Sequence, residues 1–210
     1  MRRRYAKTVH PRGLLRSLLD WARGRDQRLL RGGPGQPLLL MSYPSGQEDV
    51  ARELEAAYLH TLPGLLDGIA APYRPMLAAL PPLVVVLLRP SNVCGCLGHH
   101  HLAGLESGLA RRLAADLGEA VGEIDLAYEN IRRWQPQPIS SLAAAGAGDS
   151  LPRLHFHAAL LTVLLHELEH LAFADHPERQ VRRASDSFYA ALMRELLRSE
   201  RGIAYGMEDC

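Results

Sequence analysis

The chain of 210 residues is long enough for one domain with its own core, and its 47% hydrophobic and 22% charged residues are typical of globular proteins. Its formal net charge of +1 excludes a strong overall attraction to nucleic acid or to an anionic membrane. The sequence has no recognisable secretory signal, membrane span or disulfide framework among Cys94, Cys96 and Cys210, so we expect a cytoplasmic protein.

Residues 1–35 are predicted to be a basic arm that precedes a domain spanning 36–210. The first 31 residues contain ten basic and two acidic residues, and the apolar residues between 14 and 21 predict a short amphipathic helix. Such an arm either folds against the domain or makes a weak contact with an anionic partner such as nucleic acid. The sequence leaves both interpretations open.

The rest of the chain alternates predicted strands with predicted helices. Strands are predicted at 37–41, 83–88 and 122–128, and helices at 45–60 and 105–118. Residues 134–152 contain three prolines and two glycines, which indicate a mobile linker. Because two helices follow this linker, the order of elements predicts an α+β domain.

One pattern specifies chemistry, and it is His-Glu-Leu-Glu-His at residues 166–170. It lies in an apolar stretch, 158–174, that predicts a buried helix. Histidines four positions apart lie on the same side of a helix, so the imidazoles of His166 and His170 are able to share one metal ion. Zn²⁺ suits such ligands, and Glu167 is placed to act as a general base toward a water molecule. A solvated surface stripe is the alternative, but the apolar neighbours leave little room for one.

The segment Leu-Leu-His-Glu-Leu-Glu-His-Leu at 164–171 resembles the active-site helix of the zincin metallopeptidases. The resemblance implies a small mixed sheet, a buried motif helix, an antiparallel C-terminal helix and zinc-dependent hydrolysis of a peptide or protein substrate. Zincins commonly bind the substrate backbone along an edge strand before the motif helix. Residues 122–128 are expected to form either such a substrate-binding edge strand or an ordinary strand of the sheet. A non-catalytic domain that binds metal or peptide is the alternative function.

A catalytic zinc site normally has a third protein ligand, and His176 is the first candidate. It follows His170 by six residues, which matches the metzincin pattern H-E-x-x-H-x-x-G-x-x-H. Phe173 stands at the glycine position of that pattern, and Pro177 favours a break in the helix at this point. His176 is favoured slightly, on its spacing.

Asp186 is the second candidate for the third ligand. A second helix is predicted at 177–199, and in an antiparallel hairpin Asp186 comes level with His166. The segment 184–188 also resembles the second helix of gluzincin-type enzymes, in which an acidic residue completes the site. Glu178 is a more distant choice, and whichever candidate is not a ligand is expected to orient one.

A second group of metal-ligand residue types stands at 94–101, Cys-Gly-Cys-Leu-Gly-His-His-His. Its spacing is not that of a zinc knuckle, and successive histidines of a strand point to opposite faces. We therefore expect a strand or loop that lines the active-site cleft, with one histidine available to bind substrate or an oxyanion. A structural metal site at this segment is the alternative.

Overall fold

The computed structural model describes residues 24–92, 95–101, 106–134 and 150–206, with side chains described as far as residue 200. The predicted amphipathic helix of the N-terminal arm lies outside these residues, as does most of the predicted linker at 134–152. Among the described helices, none combines the length and the hydrophobicity needed to cross a bilayer.

Five described strands form one mixed sheet, which confirms the predicted α+β class. They are β1 (Arg25–Arg31), β2 (Leu38–Pro44), β3 (Leu83–Arg89), β4 (Gly98–His100) and β5 (Val121–Ala127). Their order across the sheet is β1-β2-β3-β5-β4. The central strands β2, β3 and β5 run parallel, while β1 and β4 run antiparallel to their neighbours.

The helices connect and cover these strands. They are α1 (Glu48–Ala56), α2 (Leu62–Leu65), α3 (Arg74–Ala79), α4 (Gly108–Leu117), α5 (Tyr128–Arg133), α6 (Leu151–Ala172) and α7 (Glu178–Gly206). A π-helical turn, Ala57–Thr61, joins α1 to α2. The predicted helix at 45–60 therefore corresponds to α1 and this turn, and the predicted second helix corresponds to α7.

The His-Glu-Leu-Glu-His motif lies in α6, which is a buried helix. Leu160, Leu161, Leu164, Leu165 and Leu168 are all fully buried in the larger core cluster, between the sheet and α7. The opposite face of the sheet packs against α4 in a smaller, separate cluster. Because α6 is apolar around most of its circumference, it packs against partners on several sides at once.

Of the two alternatives for residues 122–128, the ordinary sheet strand is confirmed and the substrate-binding edge strand is wrong. These residues form β5, which pairs with β3 on one side and with β4 on the other. The edge strand next to β5 is instead β4, which the Gly98–His100 segment forms, and β1 is the other edge of the described sheet. Three residues are too few for a periodic pattern, so the sequence did not reveal β4 as a strand that covers β5.

Candidate metal centre

Helices α6 and α7 form a hairpin that brings the two motif histidines close to residues of α7. The turn between them is residues 173–177, and the amide of Phe173 closes the end of α6 on the carbonyl of Glu169. His170 contacts Glu178 close to this turn, and His166 contacts Ser185 farther from it. This order of contacts shows that the two helices run antiparallel.

His166, His170 and Glu178 form a group whose ligand atoms all lie within 4.8 Å of one another. The two imidazole rings have centroids 5.0 Å apart. Glu178 Oε2 lies 2.9 Å from His170 Nε2 and 3.6 Å from His166 Nε2. The helical spacing of the histidines, together with the short turn, therefore gives three converging donors.

The donor set and its spacing fit Zn²⁺. Ligands at about 2.0–2.1 Å from a tetrahedral zinc lie about 3.3 Å from each other. The two measured separations to Glu178 Oε2, 2.9 Å and 3.6 Å, bracket that value. Two imidazole nitrogens and one carboxylate oxygen are also ligand types that zinc accepts, with a fourth position left for water or substrate.

The protonation states favour cation binding. Burial lowers the pKa of His166, which favours the neutral imidazole that a metal requires. Its Nδ1 lies 3.1 Å from the hydroxyl of Ser185, and a hydrogen bond donated there leaves Nε2 with its lone pair toward the group. Burial acts to raise the pKa of Glu178, but His166, His170 and Arg182 outweigh it and lower that pKa.

Glu167 lies beside this group and is 6% exposed. Burial, together with the charge of Glu178, raises its pKa to about 8, although the backbone N–H of His100 donates a hydrogen bond that acts the other way. The His100 ring stacks on His170 with centroids 5.0 Å apart. Strand β4 therefore holds the carboxylate from one side while α6 presents it from the other.

Gly98 permits the close approach of β4 to Glu167. A β-carbon at position 98 would lie 2.7 Å from both Cγ and Oε1 of Glu167, which is closer than real β-carbons come. Position 98 is buried in the lining of the cleft, so a larger residue there would press on Glu167. The absence of a side chain here is a geometric requirement for the carboxylate's present position.

All of these residues line a cleft of about 840 Å³. Its apolar wall includes Leu97, Trp134 and Val163, while Arg182 and Asp186 lie on the α7 side. A cleft of this volume accommodates several side chains of a bound ligand. The converging donors are therefore accessible and not sealed within the core.

The structure places the other predicted site residues differently. His176 Nδ1 lies 3.1 Å from Glu169 Oε1, and its ring packs on Phe173, away from the converging donors. Asp186 lines the cleft but does not belong to the group of converging ligand atoms. Glu178, the most distant choice from the sequence, occupies the third position.

The geometry of the hairpin explains this outcome. Glu178 and Ser185 are seven residues apart, about two helical turns, so both lie on the face of α7 that contacts His170 and His166. The sequence predicted Asp186 level with His166, but Asp186 directly follows Ser185 and is therefore rotated by about 100° from that face. The acidic residue in the first turn of α7 was the available signal for the third ligand.

The Cys-His segment also lines the cleft, through residues 95–100. Cys96 is disulfide-bonded, which the sequence did not predict, and its partner lies outside the described residues. Gly98 and Ser185 were not singled out from the sequence, since each acts through a contact with a distant segment. No family model, curated protein or solved structure matches the chain.

Proposed function

We propose that the chain is a zinc-dependent metallopeptidase with a zincin-like fold. The observation that carries the proposal is the convergence of His166, His170 and Glu178 beside the buried carboxylate of Glu167, in an open cleft. The resemblance of the motif helix to that of zincins supports the same conclusion. The acidic third donor on the following helix is the gluzincin-type arrangement rather than the metzincin one.

In this proposal each donor has a distinct task. His166, His170 and Glu178 would hold the ion, which when bound would act as a Lewis acid toward a water molecule and a carbonyl group. Glu167 accepts a proton from the attacking water at its carboxylate and delivers it to the leaving amine. Ser185 keeps the His166 ring in the required orientation.

Strand β4 is the element proposed to align a peptide. The amide of His101 bonds to the carbonyl of Glu123, and the carbonyl of Leu97 accepts from the amide of Ala127, so these residues use their backbone groups on β5. Because backbone groups alternate in direction along an antiparallel strand, the N–H and C=O groups of Gly98 and His100 point away from β5. An extended substrate that pairs with Gly98 at that edge would have its backbone beside Glu167, whose carboxylate accepts the hydrogen bond of the His100 amide.

A substitution of Glu167 tests the proposal. In Glu167→Gln the amide keeps the size of the side chain but cannot accept the water's proton. We expect zinc content to stay at the wild-type value while hydrolysis of an unfolded protein substrate falls about 10²- to 10⁴-fold. The readouts are metal analysis of the purified protein and the rate of peptide-bond cleavage.

Glu169→Gln is the matched control, since it makes the same change two positions away in the same motif. Glu169 contacts His176 and faces away from the converging donors, so this variant should keep both zinc and activity. Hydrolysis that persists in Glu167→Gln would contradict the assignment of the general base. Wild-type protein that holds zinc but cleaves no substrate would favour the non-catalytic metal- or peptide-binding alternative.

A further inference from the structure

We propose that His101, Glu123 and Asp125 form a second divalent-cation site, on the face of the sheet opposite the cleft. Their ligand atoms lie within 4.8 Å of one another, and they come from β5 and from the residue that directly follows β4. The site is distinct from the metallopeptidase centre and does not depend on it.

Strand alternation separates the two groups. Gly98 and His100 contact Glu167 and His170 on the α6 face, so the side chain of His101 projects to the other face. On β5, Ile124 belongs to the core around α6, which directs Glu123 and Asp125 away from it. The register pairs His99 with Asp125, and the His101 amide bonds to the Glu123 carbonyl, so the three side chains meet on one face.

The separations within the group are close to those between the ligands of one metal ion, although they also fall within ion-pair distance. His101 Nε2 lies 3.8 Å from Glu123 Oε1 and 3.4 Å from Asp125 Oδ2. Ligands of a zinc-sized ion lie about 3.3 Å apart. Within the described part of the chain, His101 Nε2 and Asp125 Oδ1 are buried without a hydrogen-bond partner. A cation between these atoms would satisfy both of them.

Both carboxylates of the group also have protein partners. The side chain of Glu123 is fully buried, and Ser107 satisfies it through its amide at 2.9 Å and through its hydroxyl. Asp125 Oδ2 accepts from Arg89 Nε at 2.9 Å. Arg89, and Arg25 at longer range, offset part of the negative charge of Asp125, while Oδ1 of Asp125 keeps lone pairs that a cation could use. One imidazole with two carboxylates suits Zn²⁺ or a similar first-row ion.

His101 also provides a route to solvent, since it lies in the wall of a second cavity of about 520 Å³. A cation bound here joins the end of β4 to β5. Because β4 has only three residues, such a link would hold in place the strand that contacts Glu167 from its other face.

Zinc binding to metal-free protein tests the proposal, by equilibrium dialysis with Zn²⁺ alone. We expect two equivalents per chain in the wild type and one in His166→Gln/His170→Gln. We also expect one equivalent in His101→Gln/Asp125→Asn and none in the fourfold variant. His60→Gln, at an exposed histidine, is the matched control and should bind two equivalents.

If His101→Gln/Asp125→Asn binds as much zinc as the wild type, the second site is overturned. Loss of one equivalent in this variant supports the site even if the His166 and His170 centre binds nothing, so the two proposals fail separately. Thermal melts establish that each variant is folded. If the double variant does not fold, zinc-edge anomalous maps of wild-type crystals decide: a peak bonded to His101 Nε2 supports the site, and no peak overturns it.

Discussion

Histidines at the two ends of α6 are similarly buried, but they make different contacts. Near the start of the helix, His155 Nδ1 lies 2.7 Å from the hydroxyl of Tyr189. His157 Nε2 lies 2.8 Å from Thr61 Oγ1, and its Nδ1 contacts Glu53. Each of these rings has its own partners, since residues two apart on a helix point in different directions.

Near the end of the helix, His166 and His170 face the same space and share one acidic partner, Glu178. The cleft reaches this end of α6 and also contains the carboxylate of Glu167. The comparison teaches that a buried histidine is not by itself a metal ligand. A spacing of four residues, a carboxylate from a second helix and an open cavity together distinguish the candidate centre from a pair of packing histidines.

The largest expected effect comes from removing the shared acid. Glu178→Gln should weaken zinc binding more than about 100-fold, since loss of a direct ligand exceeds the usual effect of losing an outer partner. His176→Gln and Asp186→Asn are the matched variants and should bind zinc as the wild type does. The measurement is the zinc dissociation constant in competition with a chelator. Weaker binding in either matched variant, with Glu178→Gln unaffected, would show that the third ligand is His176 or Asp186, as predicted from the sequence, and not Glu178.

A second variant tests the position of the proposed base, Glu167, without changing a proposed metal ligand. Gly98→Ala places a β-carbon 2.7 Å from the Glu167 carboxylate, so the carboxylate or β4 must shift. We expect activity to fall about 100-fold, the cost of displacing a catalytic group by about 1 Å, with zinc content unchanged. Gly64→Ala is the control, because nothing lies within 4 Å of its added carbon. Equal activity in both variants would show that the Glu167 position tolerates movement.

A third variant tests the support of a ligand. Ser185→Ala removes the hydroxyl that lies 3.1 Å from His166 Nδ1, and it should weaken zinc binding about tenfold to 100-fold. Ser187→Ala changes an exposed serine on the same helix and should have no effect. Chelator competition is again the measurement. Identical dissociation constants for the two variants would mean that packing alone orients the His166 ring.

The smallest effect is expected at the other end of α6, and it depends on pH. Burial lowers the pKa of His155 below its ordinary 6.5, so the unfolded chain binds more protons than the folded one as pH falls below that value. Stability is therefore lost below about pH 6.5, by at most about 1.4 kcal/mol per pH unit. Urea unfolding of metal-free protein should show a shallower loss in His155→Gln. An equal loss in both proteins would show that His155 does not contribute.

The sequence predicted those parts of the fold that are specified locally. The β-branched run at 83–88 matches β3, and the predicted strand at 122–128 matches β5 within one residue. The pairing of His166 with His170 follows from helix geometry alone, so two of the three converging donors were predictable. These features require no knowledge of how distant segments pack.

The remaining features depend on contacts between distant segments. The third donor is set by the residue at which α6 ends, because that end determines which residues of α7 come level with the motif. Strand β4 is defined by its pairing with β5 and not by a pattern of its own. The polar strand Arg25–Arg31 joins the sheet through β2, although its composition resembles the basic arm before it. Local patterns do not encode such long-range registers.

The five-residue turn between α6 and α7 helps to determine which residues of α7 face His166 and His170. One residue inserted within 173–177 would lengthen this non-helical turn and change the path by which the chain enters α7. Both Glu178 and Ser185 could then be displaced from the histidines, although no residue at the centre had changed. The length of this loop is therefore a constraint on the centre in addition to the identity of its donors.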